Sequence, residues 1–254
     1  MSNWRKHPAS VVILSFVIYS CLAQLGALLF LRSGILGPFW ALAGFGLAIY
    51  LILGRYALIG IFLASLGSHL LLAISGFEAY SSNLLTGSAI LSLGTVLQLI
   101  VSGALIRRFC ALPLQLTSLA AVCRFLLLSG PLGCLFGSSV EVAWAVVSQD
   151  LTLLEAVSLN FTGWLGNSLG VMYFTPISLL LIPNDVFDTI SDRWKVLIPA
   201  LVLFVLVRTA FMISTTQFNN ERQNEFNDNT SAFLEELALT ENVANELLHA
   251  IAGL

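Results

Sequence analysis

Six polar or ionisable side chains stand inside stretches that are otherwise apolar: His69, Gln98, Arg124, Glu141, Glu155 and Asn167. If those stretches cross a membrane, each such group costs a few kcal/mol at membrane depth, so it is paired, reaches the interface or has a task. His69 reads either as a ligand contact or proton site, or as a neutral imidazole hydrogen-bonded to a neighbouring helix. Arg124 either snorkels to the nearer surface or pairs with an anionic group inside the bundle. Glu141 and Glu155 read as wet interfacial carboxylates. If Glu141 instead faces inward, it is the best acid in the body for recognising a cation or a proton.

The densest constellation runs from Asn160 to Val171. Helical spacing stacks Gly163, Gly166, Asn167 and Gly170 along one side, and Gly166 with Gly170 forms a small-xxx-small pair that lets two helices approach closely. Asn167 is expected to hydrogen-bond a neighbouring backbone across that contact. Trp164 and Asn167 either simply pack there or line a polar cavity at the bundle centre. Pro176, further along, is expected to kink the helix and widen such a cavity.

None of this resembles a catalytic constellation. The chain has no phosphate-binding glycine loop, no H-E-x-x-H and no nucleophile elbow. The cysteines Cys21, Cys110, Cys123 and Cys134 form no C-x-x-C pair and read as small buried apolar residues. No metal site and no cofactor is expected. The few basic residues sit at the ends of apolar runs, which speaks against nucleic acid as a partner.

The elements that must position these side chains follow from composition. Of 254 residues 57% are hydrophobic and 10% charged, against roughly 25% charged in an ordinary soluble domain. The lipid bilayer is therefore the expected solvent. Seven runs are long enough to span it: Val11–Leu31, Leu36–Leu53, Tyr56–Ser75, Leu84–Ile106, Leu116–Val147 with an interruption at Pro131, Leu153–Ile182 and Val196–Ser214. The fold class is thus an all-α polytopic membrane helix bundle of about seven helices. A break at Pro131-Leu132-Gly133 would make eight, and a reentrant or broken helix there is the further alternative.

The basic Trp4-Arg5-Lys6-His7 start precedes an apolar run too long for a cleaved leader, so the first span reads as an uncleaved anchor. With Arg5 and Lys6 cytoplasmic, Arg55, Arg107-Arg108, Arg193 and Lys195 fall on the same side, as the retention of positive charge requires. Arg32 is the exception. Seven spans then place the C-terminal tail outside. That tail, after Ser214, holds seven of the fourteen acids and only Arg222 among the bases. Phe226, Phe233, Leu237, Leu247 and Ile251 give it a helical apolar stripe that needs a partner.

Several blocks together resemble the MASE1 family of bacterial membrane-associated sensor domains. Trp40-Ala41-Leu42-Ala43-Gly44-Phe45-Gly46-Leu47-Ala48 is similar to its W-P-x-x-G-x-A stretch, and Leu53-Gly54-Arg55-Tyr56 with Gly60-Ile61-Phe62-Leu63 to its next block. Gly94-Thr95-Val96-Leu97-Gln98, ending at Arg107-Arg108, resembles its N-T-L-E segment. Arg124-Phe125-Leu126 matches its R-F-L. Trp164-Leu165-Gly166-Asn167-Ser168-Leu169-Gly170-Val171, then Thr175-Pro176, resembles its W-x-G-D-x-x-G-V…P pattern. Here Ala41 replaces the family's proline, Gln98 its Glu and Asn167 its Asp, so two carboxylates become amides that hydrogen-bond but hold no fixed charge. The resemblance implies a transmembrane sensor domain over residues 1–215. The remaining residues, 216–254, resemble the opening of a CHASE-like extracytoplasmic sensor domain through Arg222, Glu225-Phe226 and the Leu247-to-Leu254 stretch.

The expected function is a sensory input module of the bacterial inner membrane, not an enzyme. It would detect a small ligand or membrane cue and signal to a histidine kinase or diguanylate cyclase output domain, beyond Leu254 or on a partner. The layout implies a homodimer, because such outputs work in pairs. Ligand or cavity residues are expected among Trp40, His69, Gln98, Arg124, Glu141, Trp164 and Asn167. A small-molecule transporter, or a membrane subunit of one, is the competing reading, since glycine-rich helices broken by proline also build transport sites. The chain lacks a visible inverted repeat.

Overall fold

In the computed structural model the described residues are 7–33, 38–74, 84–110, 119–149, 152–182 and 230. They are helical nearly throughout. In chain order the helices are α1 (Pro8–Ser33), α2 (Pro38–Leu53), α3 (Ala57–Ile74), α4 (Leu84–Phe109), α5 (Leu119–Leu127), α6 (Gly133–Gln149) and α7 (Leu153–Leu181), with one π-helical turn, Leu128–Leu132, joining α5 to α6. The chain divides into two compact units, Met1–Ala200 and Leu201–Leu254. Of the second only Thr230 is described. The expected seventh run, Val196–Ser214, and the apolar stripe of the tail lie outside the described residues.

Helix starts and stops have local causes. Pro8 and Pro38 each occupy a first helical position, where a missing N–H costs nothing. Gly54 ends α2: its N–H donates to the Tyr50 carbonyl at 2.9 Å and its φ of +83° suits only a residue without a Cβ. The chain turns directly into α3, where Ala57 N–H reaches the Gly54 carbonyl at 3.1 Å. Thr152 caps α7 in a reciprocal box. Its hydroxyl accepts from Glu155 N–H, and the Glu155 carboxylate accepts from Thr152 N–H at 2.9 Å.

Among the described residues five segments are long and apolar enough to cross a membrane: Pro8–Ala27, Ala57–Ile74, Leu84–Phe109, Ala120–Ser148 and Gly163–Leu181. α2 is a shorter apolar helix. The Leu116–Val147 run does not split at Pro131. Proline cannot donate back into the preceding turn, and the helix absorbs the loss by widening into the π-turn and continuing as α6. The break that would have added an eighth span at this point, and the reentrant alternative, are replaced by one continuous helical segment.

The helices pack through small residues. On α1, Ser15 donates to the Val11 carbonyl at 2.8 Å, and Gly60 of α3 presses against Ser15 and the Val12 carbonyl. Gly103 of α4 admits the Tyr50 ring of α2, whose hydroxyl accepts from Arg107 at 2.9 Å. α7 is the most enclosed span: 56% of its Gly163–Leu181 window is buried, against 28% for the windows in α1 and α3. Outward faces carry Ile13, Ile59, Leu93 and their like, as expected where hydrocarbon is the solvent. The cysteines are buried only at Cys134. Cys21 and Cys123 lie on exposed faces, where a thiol is apolar enough to meet lipid.

Candidate functional site

Two contacts of α7 set the geometry. In its second half, Gly44 of α2 lies so close that a Cβ there would run into the Gly170 carbonyl oxygen and stand 2.7 Å from Phe174 Cβ. The Thr175 hydroxyl donates to the Gly44 carbonyl at 3.0 Å, and the rings of Phe45 and Phe174 are tilted at 5.0 Å. Thr175 is fully buried, so the bond closes two groups that lipid could not satisfy. Pro176, buried beside it, lies inside an unbroken α7.

In its first half, α7 meets the π-turn. The widened turn leaves backbone carbonyls that neighbouring helices satisfy. Ser102 of α4 donates to the Ser129 carbonyl at 3.1 Å, and the Trp164 indole N–H donates to the Pro131 carbonyl at 3.1 Å. Gly130 and Gly133 make this possible. A Cβ on Gly130 would stand 3.0 Å from the Ser168 carbonyl oxygen, and one on Gly133 would collide with Ser102. The π-turn is therefore clamped from both sides, by α4 and by α7.

Beyond the clamp α6 and α7 diverge around a groove of about 770 Å³. Its walls are apolar: Leu135, Val142 and Val146 on α6, and Leu153, Val157 and Phe161 on α7. Three of its polar side chains are engaged. Ser139 donates to the Leu135 carbonyl at 2.7 Å, Asn160 to the Ala156 carbonyl at 2.9 Å, and Trp164 to Pro131 as above. The fourth, Ser138, is 7% exposed and its hydroxyl has no partner among the described residues.

The expected site residues are dispersed. Trp164 lines the groove. Glu141 is half-buried with Oε2 3.8 Å from where a Cβ on Gly163 would stand, so this carboxylate faces the first half of α7. Gly166 and Gly170 are buried in the helix contact and Gly163 is half-buried. Gln98 is buried between α4 and α6 against Gly137. His69 is half-buried on α3 and Arg124 is exposed on α5, away from the groove lining. The Trp40 side chain lies outside the described residues. Asn167 is half-buried, and the cross-helix bonds expected of it are made instead by Trp164 and Thr175. Their donors reach the Pro131 and Gly44 carbonyls, which the π-turn and the close α2 contact present to α7. Glu155, before the Gly163–Leu181 span, is fully exposed, and its hydrogen bonds from Thr152 lower its pKa. Among the described residues no three His, Cys, Asp or Glu side chains come together in a way that could hold a metal ion.

Sequence reasoning missed Ser138 and the partnership of Gly44 with Thr175. Gly44 and the Thr175-Pro176 pair stand in two of the blocks that carried the resemblance, 131 residues apart, and the fold joins them through one hydrogen bond. Ser138 carried no such signal. Residues 11–226 match the MASE1 family model, which extends into the stretch assigned above to the tail. Neither a curated protein nor a solved structure matches the chain.

Proposed function

The chain belongs to the MASE1 family of membrane-associated sensor domains, and on that premise we propose that it is the input half of a bacterial inner-membrane signalling protein, with the α5–α6 segment and α7 as its movable pair. The observation that carries this reading is the clamp on the π-turn. A widened turn held by a single indole–carbonyl bond on the α7 side has a second arrangement close at hand: when that bond is lost the π-turn, which Pro131 keeps, shifts against α7. A stimulus that favours one arrangement then biases the bundle by its difference in affinity for the two. α7 would pass the shift onward to a histidine kinase or diguanylate cyclase output. The N-terminus is read as cytoplasmic and the part of the tail beyond the family match, 227–254, as the start of an extracytoplasmic CHASE-like domain. This sidedness rests on the placement of Arg and Lys. A homodimer is the working state.

The test uses the full-length gene product in nanodiscs. Its output activity, autophosphorylation or cyclic-dinucleotide synthesis, should change in Trp164→Phe at equal protein level. A reading frame without such an output downstream or in a bound partner, together with solute flux into proteoliposomes, would instead establish the transporter reading.

A further inference from the structure

We infer that Arg55, Arg107, Arg108 and Arg124 form a surface that binds the phosphate of an anionic phospholipid headgroup, with Arg107 as its fixed point. The four belong to one end of the bundle. The turn at Gly54 that joins α2 to α3 carries Arg55, and α4 ends in Arg107 and Arg108. The ends of α2 and α4 meet where Arg107 Nη1 donates to the Tyr50 hydroxyl at 2.9 Å. Arg124, on α5, stands close enough to Cys110, the residue after α4, for its charge to act on that thiol. All four arginines are exposed.

Three of the guanidinium groups are held over rings. Arg107 Cζ lies 4.8 Å from the Tyr50 ring centroid, Arg55 Cζ 5.0 Å from that of Tyr56, and Arg108 Cζ 5.8 Å from that of Phe109. Arg55 also donates to the Tyr56 hydroxyl at 3.1 Å. Arg107 is the best anchored. Tyr50 is buried and its ring is seated against Gly103, so its hydroxyl is a fixed acceptor. One guanidinium N–H is used there, and the others remain for an anion in a planar fork that fits phosphate.

The described part of the chain supplies no such anion at this end. Its acids are Glu141 and Glu155. Glu141 stands about 25 Å beyond Arg124 along one continuous helical segment, at about 1.5 Å per residue, and Glu155 begins the next helix at the far end. The arginines terminate the apolar spans Ala57–Ile74, Leu84–Phe109 and Ala120–Ser148. That is the level of lipid phosphates, within reach of a side chain that keeps its stem in hydrocarbon. Basic residues so placed favour anionic over neutral lipid. The inference rests on lipid being the solvent, not on the sensory reading.

The probe is phosphatidylglycerol, with phosphatidylcholine as its control. Both carry the phosphate, and only the first carries net charge. The purified full chain, in nanodiscs holding equal amounts of the two, is released by collisional activation, and the lipids it retains are counted by native mass spectrometry. Wild type should retain phosphatidylglycerol over phosphatidylcholine, and raised salt before release should weaken the preference. Arg107→Gln should lower it roughly fivefold, the worth of one basic residue near the surface. Tyr50→Phe, which frees the guanidinium but leaves its charge, should lower it less. Arg107→Lys keeps the charge that orients the chain and loses the fork, so it should lose part of the preference even where Arg107→Gln fails to insert. Equal retention of the two lipids by wild type would overturn the site. A preference unchanged in both Arg107 variants would assign these arginines to the chain's own acids, Asp185 or Asp188 among them, and overturn it too. Displacement of phosphatidylglycerol by inorganic phosphate would overturn lipid as the source of the anion. No output is read, so a failure here leaves the sensory reading standing.

Discussion

The two halves of α7 are built from the same kinds of residue and do opposite things. From Gly166 to Leu180 no residue is exposed, whereas Leu153, Leu154, Val157, Phe161 and Leu165 all are. Greasiness does not separate them, since both halves are apolar. What separates them is the backbone approach allowed by Gly44 and Gly170 and sealed by Thr175. Apolar side chains gain little by leaving lipid for protein, so close packing and hydrogen bonds decide where membrane helices touch. Where that contact with α2 stops, α7 faces α6 across the groove.

The largest blow to that contrast is Gly44→Leu. Its side chain would have to displace the Gly170 carbonyl, and overpacking of this kind costs about 1–3 kcal/mol or more. The thermal midpoint in detergent should fall by several degrees, and the closed half should become open to lipid. A wild-type midpoint would mean that the Gly44 contact does not hold the halves apart. Trp164→Phe acts at the boundary. It keeps an aromatic ring, loses the N–H bond worth about 1 kcal/mol and gives up part of the indole's volume, so stability should drop by about that bond or somewhat more, with faster hydrogen exchange concentrated at the π-turn. Exchange unchanged at Leu128–Leu132 would remove the indole from the clamp.

The smallest effect is at the open end. Glu155 has a lowered pKa because Thr152 hydrogen-bonds its ionised form. The cap therefore contributes fully above the ordinary carboxylate pKa and is lost as pH falls through the lowered one. Relative to the intrinsic amide rate at each pH, protection of the first turn of α7 should fall on acidification in wild type, and Thr152→Ala should be weakly protected at every pH. A wild-type profile flat down to that range would refute the cap.

Much of this contrast was half-written in the chain. The runs that became α1 to α7 were legible because about 20 apolar residues with few charges have little else to be, and Gly166 with Gly170 announced a close contact. Their partner did not announce itself. Gly44 lies far away in sequence, and helices apolar on every side give no periodic stripe to say which face meets which. Pro131 was legible as an interruption, but a break, a kink and a π-turn begin from the same missing N–H. Asn167 drew attention by its type, while the bonds went to Trp164 and Thr175, whose acceptors exist only once three helices have met. Ser138 was silent for the opposite reason: an unpartnered hydroxyl is a fact about neighbours.

The division of α7 is tested most directly by carbene labelling of the unmodified protein with a small hydrophobic diazirine dissolved in the bilayer, read residue by residue along the helix. The account predicts insertion at Val157, Phe161 and Leu165, past the water-exposed first turn at Glu155, and little between Gly166 and Leu180. Equal insertion along both halves would contradict it.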